Sequence, residues 1–353
     1  MPTIRDVARE SGFSASTVSI VLNRAPLARY IRKDTKTQIE TVAKQLGYSP
    51  NLLARSLRNQ RNHSIGVMVF DITDPFCTPI LRGVETTLFN ASFVPILADA
   101  HNDPSRFERA LEMLLEQRVE GLIVVANWLC VNVNILSDIE KRNISTVIVG
   151  RDLAPSLSSV QVDNPLGGRL AIEHLYKLGH RKIAFIRGPK MLADSNQRWR
   201  GIRGFAATVG LKIDPRLVVE LPNLLNPMHG FEAGYSKTME LLETGHPFTA
   251  ISAFDDVTAL GAIKALRSAG RRVPEQCSVI GFDDTTPAAV SAPSLTTVRQ
   301  PMESMGANAA QMILDTGAAI SQKMELAPSH RLLAPELIVR ESTAPPVKFS
   351  GEH

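Results

Sequence analysis

Cysteine is scarce. Cys77, Cys130 and Cys277 stand far apart, with no C-x-x-C pair. An odd number at such spacing argues against a disulfide framework or a zinc site and fits reduced thiols in a core. Long apolar runs are missing as well, since none approaches the roughly 18 residues that a membrane span needs. The stretch MPTIRDVARE lacks the apolar run of a secretion signal, so the expectation is a cytoplasmic, nucleoid-associated protein without a membrane partner.

Catalytic signatures are equally absent. The chain holds neither G-x-x-x-x-G-K-[ST], G-x-G-x-x-G, H-E-x-x-H nor G-x-S-x-G, and its eight histidines are scattered without metal-ligand spacing. No catalytic residue, cofactor or metal is assigned, and the chain is not read as an enzyme.

Charge is present but uneven. The 353 residues carry a formal +4, whereas residues 1–63 alone hold eleven Lys and Arg against four Asp and Glu. That local +7 leaves about −3 for the remainder. A basic amino-terminal module on a mildly acidic body points to a polyanion partner for the module, with nucleic acid ahead of a membrane surface. The length itself calls for two or three domains.

The first fifty residues read as three short helices. Thr3 followed by Asp6 is a capping-box-like start, Ile4, Val7 and Ala8 form one apolar face, and Gly12 stops the helix. Ser14 can cap a second helix that buries Val18, Val21 and Leu22 and leaves Ala15, Ser16, Ser19 and Ile20 on its other side. A third helix begins at Asp34, with Ile39, Val42, Ala43 and Leu46 apolar and Gly47 as its stop. Two short helices about a glycine turn, braced by a third, describe a helix-turn-helix that reads the major groove.

The segment TIRDVARESGFSASTVSIVLN resembles the DNA-binding signature of the LacI/GalR family of bacterial transcription regulators. By that resemblance Ala15, Ser16 and Ile20 occupy the base-reading positions, while Ser14, Thr17, Ser19 and Asn23 bond phosphates. Ile20 departs from the frequent Arg, and an isoleucine can only pack against a thymine methyl or a base edge. The stretch RAPLARYIRKD is a few residues longer than the common form and adds Arg24, Arg29, Arg32 and Lys33. Residues 51–63 follow as hinge and linker, where Pro50 stops the third helix and Asn51 can cap a helix too short to be stable alone. The resemblance implies a minor-groove hinge there, with Leu57 as the wedge and Ala54 and Arg55 beside it.

From Ser64 onward, short apolar runs such as IGVMVF, GLIVVA and CSVIGFDD alternate with amphipathic segments, the rhythm of parallel sheets covered on both faces. The fold class expected is α/β: a small all-α head plus a body of two doubly wound parallel-sheet subdomains. Residues 64–345 form that body, divided about 64–162 with 294–323 and 163–293 with 324–345, and 346–353 are expected to be a disordered tail. The polar residues following strands are Asp71, Asn127, Arg151, Asp163, Asp255 and Asp283, with Trp128 beside Asn127. Carboxylates, an arginine and an aromatic face suit a polyhydroxylated ligand. Asp163 and Asp256 are read first as helix caps, Asp255 and Asp283 first as contacts.

The segments VDNPLGGRLAIEHLYKLGHRKIAFIRGP and GFDDTTPAAVSAPSLTTVRQP resemble the effector-binding, periplasmic-binding-protein-like body of the same family. The resemblance implies that Arg198 contacts effector and that DPFC, with Phe76, lines the pocket. The expected effector set is therefore Asp71, Phe76, Trp128, Arg151, Arg198, Asp255 and Asp283. Asp255 stands where Asn is usual, and Gly150 where Asp often precedes Arg151. Thr296, Thr297 and Arg299 are read as hinge and packing groups.

The function expected is a one-component regulator, most simply a repressor, that binds a pseudo-palindromic operator in double-stranded DNA as a homodimer. Its affinity is modulated by a small-molecule effector, a sugar by first reading and a purine-type corepressor by second. A solute-binding protein is a third reading with the same body.

Overall fold

The computed structural model describes residues 2–23, 26–48, 62–126, 139, 144–151, 154–222, 229–324 and 326–347. The chain divides into two units, residues 1–62 and 63–353.

The first unit contains α1 (Ile4–Ser11), α2 (Ala15–Leu22) and α3 (Lys33–Gln45), with a 3-10 turn at Pro26–Tyr30. Thr3 and Asp6 close a capping box: the Thr3 amide donates to Asp6 Oδ2 at 2.9 Å and the Asp6 amide to the Thr3 hydroxyl at 3.4 Å. Gly12 ends α1 at φ 74°, a left-handed conformation that glycine adopts without steric cost. Ser14 then caps α2, accepting from the Thr17 amide at 3.1 Å. Val7, Val18, Val21, Ile39 and Ala43 form the core. Of the apolar residues read in α3, Leu46 is 37% exposed, because α3 ends at Gln45 and Leu46 lies past the last turn.

The second unit begins with β1 (Ser64–Val69), α4 (Cys77–Asn90), β2 (Val94–Asp99), α5 (Pro104–Glu116), β3 (Leu122–Val125), β4 (Thr146–Val149) and β5 (Ser158–Val162). It continues with α6 (Asn164–Lys177), β6 (Ile183–Arg187), α7 (Ala193–Thr208), β7 (Val218–Glu220), α8 (Gly230–Glu243), β8 (Ala250–Ala253), α9 (Asp256–Ser268) and β9 (Ser278–Asp283). Then come the short α10 (Thr286–Val290), β10 (Thr296–Arg299), α11 (Met302–Ser321), β11 (His330–Leu333) and β12 (Glu336–Ile338).

Two six-stranded sheets result, ordered β11-β5-β4-β3-β1-β2 and β12-β10-β9-β8-β6-β7. All pairings are parallel except β10 with β12. Every residue of β1, β3, β4 and β8 is buried, as the uninterrupted apolar runs require of strands covered by helices on both faces. Cys77 and Cys277 are buried thiols, and Cys130 lies outside the described residues. Among the described residues no helix is long and apolar enough to cross a membrane.

The strands divide differently from the sequence-based boundaries in two places. Residues 294–323 were assigned to the first subdomain, but β10 lies in the second sheet, with Thr297 in register with Gly281 of β9. Residues 324–345 were assigned to the second, but β11 extends the first sheet, with His330 in register with Ser159 of β5. The described chain thus passes between the sheets three times, after β5, after β10 and after β11. In the expected tail, residues 346–347 are described and 348–353 are not.

One helix contact prepares the ligand cleft. α6 and α7 cross backbone to backbone, where a Cβ on Gly168 would stand 2.1 Å from the Arg198 carbonyl oxygen and one on Gly201 would stand 1.9 Å from that of Pro165. Only hydrogen fits at either position, and the close approach brings Asn164 of α6 against Arg198 of α7.

Candidate functional site

Two surfaces present chemistry, one on each unit. On the first, α2 leads with Ser14, Ala15 and Ser16, all exposed, while Thr17, Ser19, Ile20 and Asn23 are half-buried. Val18 and Val21 face the core, so the helical period leaves the first turn of α2 free toward solvent. The Ser14 and Thr17 hydroxyls are 2.9 Å apart, and the Asn23 side-chain amide donates to the Ser19 carbonyl oxygen at 2.9 Å and to its hydroxyl at 3.1 Å. α2 carries no acidic residue, and unpaired amides with a positive helix end favour an anion there. The base-reading set Ala15, Ser16 and Ile20 and the phosphate set Ser14, Thr17, Ser19 and Asn23 therefore share one short helix. Ala54, Arg55 and Leu57 lie outside the described residues.

On the second unit, a cleft of ≈ 610 Å³, open solvent included, lies beyond the carboxyl ends of the strands. The stretch after β1 supplies Asp74 and Phe76, that after β4 Gly150, and Val162 ends β5. From the second sheet come Leu192, Asp194 and Arg198 after β6, Phe254 and Asp255 after β8, Asp283 at the end of β9 and Gln300 after β10. Both sheets contribute at the ends where open α/β sheets bind ligands.

Arg198 is the best-held group in the cleft. Its Nε donates to Asn164 Oδ1 at 2.8 Å and its Nη1 to the Phe254 carbonyl oxygen at 2.6 Å. The guanidinium lies 3.6 Å from the Phe282 ring centroid and 4.6 Å from that of Phe254, a stacking for which a planar cation is suited. Nη2 is 4.0 Å from Asp283 Oδ1, which accepts from the Gln300 side-chain amide at 2.6 Å.

Burial drives the cleft carboxyls upward in pKa. Asp194 is raised by burial, with the charges of Arg151 and Arg198 opposing. Asp255 is raised by burial, against the hydrogen bonding of Thr258, whose amide donates to it, and the charge of Arg198. Asp283 is raised well above the usual range by burial, opposed by Arg198 and reinforced by Asp256 and Asp255.

Residues 3–51 match the bacterial regulatory proteins of the lacI family, and residues 172–343 match the periplasmic binding protein-like domain. Over 348 residues the chain is 34% identical to the HTH-type transcriptional repressor PurR of Haemophilus influenzae strain PittEE, covering 97% of this chain and 98% of the relative. The chain belongs to the lacI family of bacterial regulatory proteins.

This lacI-family protein is a DNA-binding transcriptional regulator. Its fold matches the lac repressor dimer bound to operator and the anti-inducer ONPF with a TM-score of 0.82 at 27% identity, covering 97% of this chain and 99% of that one. It matches the regulator CelR in complex with cellobiose with a TM-score of 0.71 at 29% identity, covering 97% and 100%.

Four of the expected effector residues of this lacI-family regulator meet in the cleft: Phe76, Arg198, Asp255 and Asp283. Asp71 is not among the residues lining it. Its Oδ1 accepts from the Thr73 amide at 2.9 Å and hydroxyl at 2.5 Å, and its Oδ2 from Asn102 at 2.9 Å, so it closes the turn after β1. Arg151 is buried and also absent from the lining; its charge acts on Asp194. Trp128 and Asn127 lie outside the described residues.

Of the two neighbouring acids at α9, the cap is Asp255 and not Asp256 as expected. Asp255 is the cap, accepting from the Thr258 amide at 2.7 Å, and still lines the cleft. Asp256 is fully buried and accepts from the Thr285 amide at 2.8 Å and the Thr297 hydroxyl at 2.6 Å. Asp163 caps α6 through the Leu166 amide at 2.9 Å. Sequence reasoning missed Asp194, Asn164 and Gln300. Asp194 precedes Arg198 by four residues, one helical turn on the same face, and that spacing was the available signal.

Proposed function

We propose that the protein is a one-component repressor that binds a pseudo-palindromic operator as a homodimer and is released or tightened by a small molecule held in the cleft. Ala15, Ser16 and Ile20 read base edges in the major groove, while Ser14, Thr17, Ser19 and Asn23 anchor to phosphates. Ala54, Arg55 and Leu57 serve the minor groove between the two heads. A dimer is required because one head offers too few contacts for strong specificity. It acts on the nucleoid, in the cytoplasm, and works by binding alone, without a chemical step.

The single observation that supports an effector is the convergence of both sheets' strand ends on one cleft that mixes carboxylates, a held guanidinium and the rings of Phe76 and Phe254. Such a lining accepts from vicinal hydroxyls and covers the apolar face of a ring, so a sugar or sugar derivative fits best. Phe76 and Phe254 equally suit a planar purine-type corepressor. The two readings differ in sign. Linkage makes an inducer lower operator affinity and a corepressor raise it, each with a reciprocal effect of operator on the ligand.

The test is selection of bound sequences from a random DNA pool, followed by a screen of sugars and nucleobases against the selected site. A palindromic winner whose affinity falls with a sugar is the expected result. Binding without sequence preference would overturn the reading of the head, and affinity indifferent to every compound would overturn that of the cleft.

A further inference from the structure

A fully buried carboxyl stands behind the wall of the cleft without lining it. Asp256 has no exposed surface, and its neighbours Asp255 and Val257 both line the cleft. Its Oδ2 accepts from the Thr285 amide at 2.8 Å and hydroxyl at 3.1 Å, and its Oδ1 from the Thr297 hydroxyl at 2.6 Å. Thr285 is itself in the lining, whereas Thr297 is buried in β10, ahead of the lining residue Gln300. The backbone leaves room for this carboxyl. A Cβ on Gly281 of β9 would stand 2.4 Å from Asp256 Oδ1, so only hydrogen fits at that position.

The segments tied in this way include a strained pair. Asp283 and Asp284 hold φ 120° and 61°, both in the left-handed region that favours glycine. Such conformations persist only where the surroundings over-determine them, and here those surroundings can be named. Asp284 Oδ2 accepts from Arg299 Nε at 2.7 Å, and its Oδ1 lies 2.5 Å from Arg340 Nη2. The Asp283 carbonyl oxygen accepts from the Gln300 backbone amide at 3.3 Å, and its Oδ1 from the Gln300 side-chain amide at 2.6 Å. Thr285, the next residue, is the one that Asp256 holds.

A buried carboxyl is costly unless it is hydrogen-bonded, and an apolar side chain would pack such a space without that cost. A satisfied polar network instead rigidifies the segments that it joins. The tie does not depend on charge, since a neutral carboxyl can donate to the Thr297 hydroxyl where an ionised one accepts from it.

We propose that Asp256 and Thr297 are positioning residues for the effector: from behind the cleft they lock the strained Asp283–Asp284 turn and β10 in the register that presents Asp283 and Gln300 to the ligand. This rests on the reading of the cleft as the effector site. Loss of the Thr297 hydroxyl unties β10 from α9, the turn relaxes out of its left-handed conformation, and Asp283 and Gln300 leave the ligand. The sheet itself stays, because the β9–β10 ladder, with Thr297 in register with Gly281, is made by backbone.

The experiment is peptide-resolved hydrogen exchange together with thermal-shift titration, on the full chain and on point variants of it. Thr297→Val keeps the shape and removes the hydroxyl, whereas Thr297→Ser keeps the hydroxyl. Asp256→Asn keeps an acceptor for Thr285 and a partner for Thr297. Ile251→Val, in the core of the same sheet, lowers stability away from the tie. The probes are ribose, glucose, cellobiose, adenosine and hypoxanthine.

Thr297→Val is expected to exchange about tenfold faster than the parent over residues 282–301, the scale of one buried group left without its partner. It binds the probe that the parent binds about tenfold more weakly. Thr297→Ser, Asp256→Asn and Ile251→Val keep the parent's exchange in that stretch and its affinity. Unchanged exchange or unchanged affinity in Thr297→Val overturns the proposal and leaves the cleft standing as an effector site. Equal weakening in Ile251→Val overturns it too, because affinity would then follow stability alone. Should Thr297→Val fail to fold, Asp256→Asn decides: lost affinity in a folded chain overturns the proposal, and parent-like exchange with retained affinity supports it. No response of the parent to any probe overturns the reading of the cleft and the proposal with it.

Discussion

The Thr297 hydroxyl donates to Asp256 Oδ1 at 2.6 Å, tying β10 to the first turn of α9 through a carboxyl with no exposed surface. The Thr285 amide and hydroxyl hold the other oxygen at 2.8 and 3.1 Å. Burial nevertheless pushes this carboxyl up to about 7.

Stability therefore depends on pH in a stated direction. The folded chain keeps a proton on Asp256 that the unfolded chain releases near pH 4, so this contribution is complete below about pH 4 and is lost as pH rises through 7. Asp194, Asp255 and Asp283 act in the same sense. His174 and His180, lowered mainly by burial, act oppositely: their contribution is present above about pH 6.5 and is lost as pH falls through their folded values. Urea midpoints at pH 6 and pH 8 should be lower at the higher pH, and Asp256→Asn should shrink the difference. Equal midpoints in the parent chain would contradict this balance.

The α6–α7 crossing predicts opposite effects for two neighbouring glycines. Gly201→Ala places a methyl 1.9 Å from the Pro165 carbonyl oxygen, so the helices must part, at about 1–3 kcal/mol or more, and Arg198 loses its register with Asn164. Gly204→Ala meets nothing within 4 Å on the same helix and should stabilise by about 0.5–1 kcal/mol. Thermal melts of both variants, with ligand response measured alongside, check the pair.

Ser14 serves both a cap and the proposed phosphate contact, and substitutions separate the two. Ser14→Ala should cost the head about 1 kcal/mol and weaken operator binding. Ser14→Asp keeps a good cap but sets a negative charge against phosphate. It should leave amide exchange in α2 near that of the parent while operator affinity falls by an order of magnitude or more. Unaltered affinity in Ser14→Asp would move the backbone contact elsewhere on the head.

Ile20 offers a change of preference rather than of strength. Ile20→Arg supplies a bidentate donor, so sequences selected from a random pool should gain guanine at one symmetric step, at about 1–3 kcal/mol of discrimination. An unchanged selected site would remove Ile20 from the reading set.

Helix ends and buried strands were legible because local chemistry decides them. The Thr3–Asp6 box, the stops at Gly12 and Gly47, and the uninterrupted apolar runs all act within a few residues. The edges were not legible. β11 and β12 are short and half-exposed, and their partners lie far off in sequence, so HRLL and ELI carry no local sign of which sheet they join. That Asp255 and not Asp256 caps α9 turns on a one-residue shift in where the helix begins. Only the tertiary donors Thr285 and Thr297 show which acid lies inside. Asp194 escaped because it follows Leu192 at a helix start and not a strand end.

The three passages of chain between the sheets leave from β5, β10 and β11. β5 and β11 are neighbours at one margin of the first sheet, and β10 and β12 are neighbours at one margin of the second. Such a bundle of ties behaves as a door hinge: sliding or stretching strains at least one tie, whereas swinging about the tied margin strains none. A molecule lodged in the cleft can thus speak to the rest of the protein in one coordinate, an angle. Distance from the hinge line magnifies that angle into displacement, so the far rims of the sheets travel most for the smallest change at the ligand.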